Sequence, residues 1–109
     1  MVKFIIQPCG RGLFHFVMKS DRGVLILTSE VFKKSHLAYR AIKSVISNKV
    51  DDDNYQRVNT SDGKWFFVFT TSVGEVIGVG ELMDSLGEVE KMINKVKRTA
   101  KQQRILLSF

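Results

Sequence analysis

The sequence predicts an α+β fold: tandem duplicated βββα units forming one antiparallel sheet, with two helices on one face and a C-terminal strand. Three observations predict it. The chain repeats itself: Gly23 and Gly74 align at an offset of 51 residues, and that offset runs without a gap from Phe4/Tyr55 to Val45/Val96. Short apolar runs are separated by glycine turns too tight for helical crossovers, which makes each set of three strands an antiparallel meander. Each meander is followed by apolar residues at helical spacing. Along the offset, Gly12 meets Gly63, Phe16 meets Phe67, Val17 meets Val68, Ile26 meets Ile77, Glu30 meets Glu81, Ile42 meets Ile93 and Val45 meets Val96. Phe4/Tyr55, Phe14/Trp65 and Leu25/Val76 are conservative pairs. Chance gives roughly two or three identities over such a length.

The first unit opens with Phe4 to Gln7, a short strand ended by the turn cluster Pro8-Cys9-Gly10-Arg11-Gly12. Leu13 to Lys19 alternates, with Phe14, Phe16 and Met18 on one side and His15, Val17 and Lys19 on the other. Ser20 to Gly23 is a turn whose glycine can take positive φ, and Val24 to Thr28 is the third strand. Ser35 offers an N-cap. Leu37, Ala38, Ala41, Ile42, Val45 and Ile46 then form an apolar stripe, while His36, Arg40, Lys43 and Ser44 face away. Asp51-Asp52-Asp53 reads as the junction.

In the second unit, Tyr55 to Val58 is a strand and Thr60 to Gly63 a hairpin turn. Lys64 to Thr70 is the central strand, where Trp65, Phe67 and Phe69 match Phe14, Phe16 and Met18. Val76 to Val79 follows the Ser72-Val73-Gly74 turn. Ser85 to Glu88 has capping-box spacing, and Val89, Met92, Ile93, Val96 and Ala100 form the second helical stripe. Ile105 to Phe109 is too apolar for a loose tail and reads as a last strand docked on the sheet. Residues 1–109 thus form one domain, with internal repeats about 2–50 and 53–109. Neither half is long enough for more than a thin core, so the two share one.

Composition narrows the function classes. A content of 44% hydrophobic and 26% charged residues is ordinary for a globular domain. Apolar runs such as Trp65 to Phe69 are far too short to span a bilayer, so no membrane partner is expected. Pro8, Gly10 and Arg11 interrupt any signal-peptide core. The single cysteine, Cys9, allows no intrachain disulfide and fits a cytoplasmic setting. A formal charge of +6 favours polyanions.

The run Gly12-Leu13-Phe14-His15-Phe16-Val17-Met18, followed by Gly23, Ser29-Glu30-Val31-Phe32, Ile42 and Val45, resembles the YegP-like family of small bacterial proteins. The likeness covers nearly the whole chain, in both copies. It implies two βββα units sharing one sheet, with an exchanged C-terminal strand. It also implies occurrence as tandem repeats or as dimers of single repeats, and no established biochemical activity. The chain departs from the family pattern where Arg22 and Val73 replace asparagine before glycine, and where Val31 replaces a common glycine. Gly80 and Met83 stand where serine and tyrosine are expected.

No catalytic constellation emerges, and no cofactor, metal or small-molecule substrate is expected. Glu30 and Glu81 are the only matched carboxylates. They could pair as acid and base or hold a cation, but a capping or backbone-accepting role at a repeated structural position is the simpler reading. His15 and His36 lack partners at ligand spacing, and Cys9 has no histidine near it to activate the thiol. Gly10-Arg11-Gly12 and Gly78-Val79-Gly80 do not have phosphate-loop spacing. Trp65, Phe67 and Phe69 belong to the core with Phe14 and Phe16. The opposite sheet face carries His15, Val17, Phe66 and Val68, with Ile26 and Ile77 near them, and nothing in this chain is left to cover it. The expected role is therefore a non-enzymatic interaction module that forms a homodimer or binds a protein partner through this open face. The alternative is a small basic nucleic-acid-binding protein using Lys91, Lys95, Arg98 and Lys101 on the second helix.

Overall fold

A computed structural model of the chain describes residues 2–98 and 104–108. Its elements run β1 (Lys3–Pro8), β2 (Phe14–Lys19), β3 (Leu25–Ser29), α1 (Ser35–Asn48), a single 3-10 turn (Asp52–Asn54), β4 (Tyr55–Asn59), β5 (Trp65–Thr70), β6 (Val76–Gly80), α2 (Leu86–Lys97) and β7 (Arg104–Leu107). All seven strands form one sheet in the order β4-β5-β6-β3-β2-β1-β7. The expected meanders are both present, and β3 and β6 meet as an antiparallel seam. At that seam Leu27 pairs with Gly80, Thr28 with Val79 and Ser29 with Gly78. Thr28 and Val79 are themselves 51 residues apart, so the register is symmetric about that pair.

Local chemistry accounts for the hairpins. Gly23, Gly63 and Gly74 all have positive φ. Each amide donates to the carbonyl three residues back, on Ser20, Thr60 and Thr71 respectively. The side chains of Ser20, Thr60 and Thr71 accept from the amides of Val24, Lys64 and Glu75, closing each turn a second time. Half of the capping box expected for α2 forms: Ser85 accepts from the Glu88 amide, whereas the Glu88 carboxylate accepts from the amide of Asp84, one residue before the N-cap. α1 is not. Its N-cap residue is Lys34, which makes no side-chain cap, and Ser35 is the first helical residue.

The core lies between one sheet face and both helices. Phe4 and Ile6, Phe16 and Met18, Leu27, and Phe67 and Phe69 share that face through their strand register. They join Ala38, Ile42 and Val45 of α1 and Val89, Ile93 and Val96 of α2 in one buried cluster. The Phe4 and Phe16 rings meet edge to face at 5.9 Å, as do Tyr55 and Phe69 at 5.1 Å. Trp65 and Phe32 are half-buried at the margin of this cluster. Ala100 of the expected second stripe and Phe109 of the expected last strand lie outside the described residues.

Two expectations are corrected. The sheet is mixed, not wholly antiparallel, because β7 pairs with β1 in parallel, Lys3 with Arg104 through Ile6 with Leu107. A tight turn forces antiparallel pairing, but a strand delivered by a helix is under no such constraint. Ile26 and Ile77 were expected near the open face. Both instead join the helix-side core. Met18 pairs with Leu27 but Lys19 with Leu25, and Phe69 pairs with Gly78 but Thr70 with Val76. One extra residue therefore bulges from β3 and one from β6, and each bulge turns its isoleucine inward.

Candidate interaction face

The face away from the helices is built from the alternate residues of every strand. Strand register aligns Leu106, Ile5, Val17, Thr28, Val79, Val68 and Gln56 as successive neighbours across all seven strands. Five of these are aliphatic, and Thr28 carries a methyl group. Val17 is only 6% exposed, yet it is not part of the helix-side cluster. Val79 is exposed.

Of the four residues expected here, Val17 and Val68 fall in this row, separated by Thr28 and Val79. His15 and Phe66 lie one alternation step away on β2 and β5, on opposite flanks of the row because the seam is antiparallel. Both are half-buried. The Gln7 side-chain amide nitrogen and His15 Nε2 lie within hydrogen-bond distance at 2.8 Å. Ile5, Val79 and Leu106 were not anticipated. Alternation alone opposed Ile5 to Phe4 and Ile6, but only the strand order reveals that it lies beside Val17. One corner of the face is cationic, since Lys3 is flanked by Lys19 on β2 and Arg104 on β7.

The other candidate residues are scattered. Glu30 and Glu81 follow β3 and β6 and are exposed. Neither carboxylate accepts a hydrogen bond among the described residues, so the expected capping or backbone-accepting role is not what holds them. The backbone does use Glu30, whose amide donates to the Ile77 carbonyl across the seam. His36 is exposed on α1, and Cys9 is a free exposed thiol in the first turn. Lys91, Lys95 and Arg98 are exposed on α2, on the helix side of the sheet, and Lys101 lies outside the described residues. Among the described residues, no group of three or more His, Cys, Asp or Glu is placed to hold a metal ion. No described helix is long and apolar enough to cross a membrane.

One polar cluster escaped sequence reading. Arg57 on β4 donates through Nε and Nη2 to both oxygens of Glu90 on α2, at 2.6 and 3.1 Å. Its Nη1 and Nη2 also reach both oxygens of Asp52, at 3.1 and 2.9 Å. Lys97 Nζ donates to Asp52 at 2.7 Å and lies 5.4 Å above the Tyr55 ring. The Tyr55 hydroxyl donates to the Lys49 carbonyl. The hydrogen bond from Arg57 is the main cause holding both carboxyls below their ordinary range, with Lys97 adding to the effect on Asp52. Burial is the main cause pushing the Tyr55 phenol up. Every charge in the cluster is answered, so it clamps an edge strand to its helix and presents no unpaired acid or base.

Comparison with known proteins agrees with this architecture. A family profile described as a domain of unknown function, DUF1508, matches residues 60–106. A UPF0339 protein of Pseudomonas aeruginosa is 33% identical over 96 residues, which cover 88% of this chain and 87% of the relative. The solution structure of Escherichia coli YegP, described as a protein of unknown function, superposes with a TM-score of 0.90 at 27% identity, covering 98% of this chain and 92% of that one. The UPF0339 protein of Shewanella oneidensis shares the fold with a TM-score of 0.90, at 24% identity over 97% of this chain and 90% of its own.

Proposed function

The chain belongs to the UPF0339 (YegP) family, and we propose that it is a non-enzymatic interaction module that pairs with a second copy of itself through the bare sheet face. The observation that carries this reading is the aliphatic row from Leu106 through Ile5, Val17 and Val79 to Val68. A sheet whose other side already holds the core has no physical need for a second apolar layer unless something covers it. An apolar patch of this kind can meet the same patch of a second copy across a two-fold axis. The symmetric seam register, together with the 51-residue offset, supports the further reading that repeats about 2–50 and 53–109 arose by duplication of one βββα unit. The lone exposed thiol of Cys9 suits a reducing, cytoplasmic setting.

The test is solution mass by light scattering across a concentration series. The expected result is a dimer that the double change Phe66→Ser with Val68→Lys converts to a folded monomer. A strict monomer throughout, with the double variant indistinguishable from the parent chain, overturns the reading.

A further inference from the structure

The two helices differ in how their charges are answered. On α2 and the adjoining strand, Lys97 and Arg57 are neutralised by Asp52 and Glu90, and Glu88 sits in the first turn. Residues 31–50, spanning α1, contain five cations and no carboxylate. Lys33, Lys34, Arg40 and Lys43 are all exposed, and among the described residues none forms an ion pair. Tyr39 and Arg40, then Lys43, recur one helical turn apart on the outer ridge, with Lys43 Nζ 5.5 Å above the exposed Tyr39 ring. Lys33 and Lys34 stand at the positive end of the helix dipole, where cations destabilise the helix. Neither packing nor capping within this chain accounts for their charge.

We propose that the outer ridge of α1 docks on the phosphodiester backbone of double-stranded DNA. The apolar face of α1, Ala38, Ile42 and Val45, is wholly committed to the core, so the helix has nothing to insert into a lipid surface. His36 and Tyr39 are the exposed rings among the described residues of the ridge, too few for a single-strand stacking platform. A helix about 10–12 Å across matches a B-form major groove about 12 Å wide, whereas the A-form RNA groove is closed to it. Arg40 and Lys43 would contact phosphates at the groove wall, with Lys33 and Lys34 on the adjacent backbone. This surface is on the opposite side of the sheet from the aliphatic row, and neither reading depends on the other.

The experiment measures fluorescence-anisotropy binding of a mixed-sequence DNA duplex of about two helical turns across a salt series. Wild type is expected to bind, with affinity falling steeply as salt rises. Arg40→Gln with Lys43→Gln is expected to weaken binding roughly tenfold at low salt and to lower the log–log salt slope by about two. Lys33→Gln with Lys34→Gln acts in the same direction. The charge-matched pair Lys91→Gln with Arg98→Gln on α2 is expected to stay within about twofold of wild type, because its cations lie off the docking ridge. Circular dichroism and thermal melting report the fold of each variant. Equal weakening by the α1 and α2 pairs would reduce the effect to net charge and overturn the proposal. So would tighter binding to an RNA duplex, a single strand or anionic lipid vesicles, or no binding to the DNA duplex at low salt.

Discussion

Ile6 on β1 and Arg57 on β4 occupy matching places in the two halves, 51 residues apart, and their surroundings could hardly differ more. Ile6 is fully buried, because β7 pairs along the outer edge of β1 and makes it an interior strand. Arg57 lies on β4, the terminal strand of the sheet at the other end, with 22% of its side chain exposed, and it holds α2 through Glu90 and the 3-10 turn through Asp52. One edge is closed by a strand and the other by an ionic clamp. A charged side chain on an edge strand also discourages unwanted strand addition. Two positions 51 residues apart, on strands with the same place in their meanders, thus take whichever residue their own edge demands.

Three substitutions sharpen that contrast. Ile6→Ala removes a fully buried side chain beneath the closed edge and is expected to destabilise by about 3 kcal/mol. The measurement is a urea midpoint at constant m-value.

Gly80→Ser comes next. It installs at β6 the residue that β3 has at Ser29. In the first half, the Ser29 hydroxyl oxygen accepts from the Phe16 amide at 2.8 Å and the hydroxyl donates to the Glu30 carbonyl. In the second half that space belongs to Phe67, whose Cδ1 would lie 2.6 Å from a Cβ at Gly80. An overpacking cost of about 2 kcal/mol is expected, seen as a melting temperature lower by roughly 8–16 °C. An unchanged melting temperature would show that the Phe67 ring yields freely.

Arg57→Ala is the mildest at neutral pH, about 1 kcal/mol, because the carboxylates it serves are largely open to water. Its pH dependence identifies the cause. Asp52 and Glu90 both have depressed carboxyl pKa values in the folded state. Their contribution is therefore present above the unfolded carboxylate pKa of about 4 and is lost as pH falls through the folded values. The stability gap between wild type and Arg57→Ala should be full at neutral pH and close on acidification. A gap that persists at low pH would mean that Arg57 acts by packing its aliphatic stem.

What could be read in the sequence divides along the range of the interactions. Gly23, Gly63 and Gly74 announced their hairpins because a positive φ is a requirement felt within four residues. Ala38, Ile42 and Val45, like Val89, Ile93 and Val96, announced their buried helix faces through spacing alone. Alternation put Phe16, Met18, Phe67 and Phe69 on the core side, where the buried cluster has them, whereas Phe14, expected with them, is half-buried and outside that cluster. Val17 and Val68 were assigned to the open side, but that Thr28 and Val79 join them into one row follows from a seam formed between strands some fifty residues apart. The inward turn of Ile26 and Ile77 depends on bulges that a regular period cannot register. The Arg57 clamp joins three elements distant in sequence and leaves no local trace. The cations of α1 were visible residue by residue, but that Arg40 and Lys43 form no ion pair among the described residues is a property of the fold.

The parallel pairing of β1 with β7 has a consequence for biosynthesis. Lys3 finds its neighbour Arg104 only after about a hundred further residues have left the ribosome, a delay of roughly 5–20 s at cellular elongation rates. Throughout that interval β1 keeps one rail of amides and carbonyls unanswered, so the nascent chain stays open to mispairing along β1 until β7 has been made.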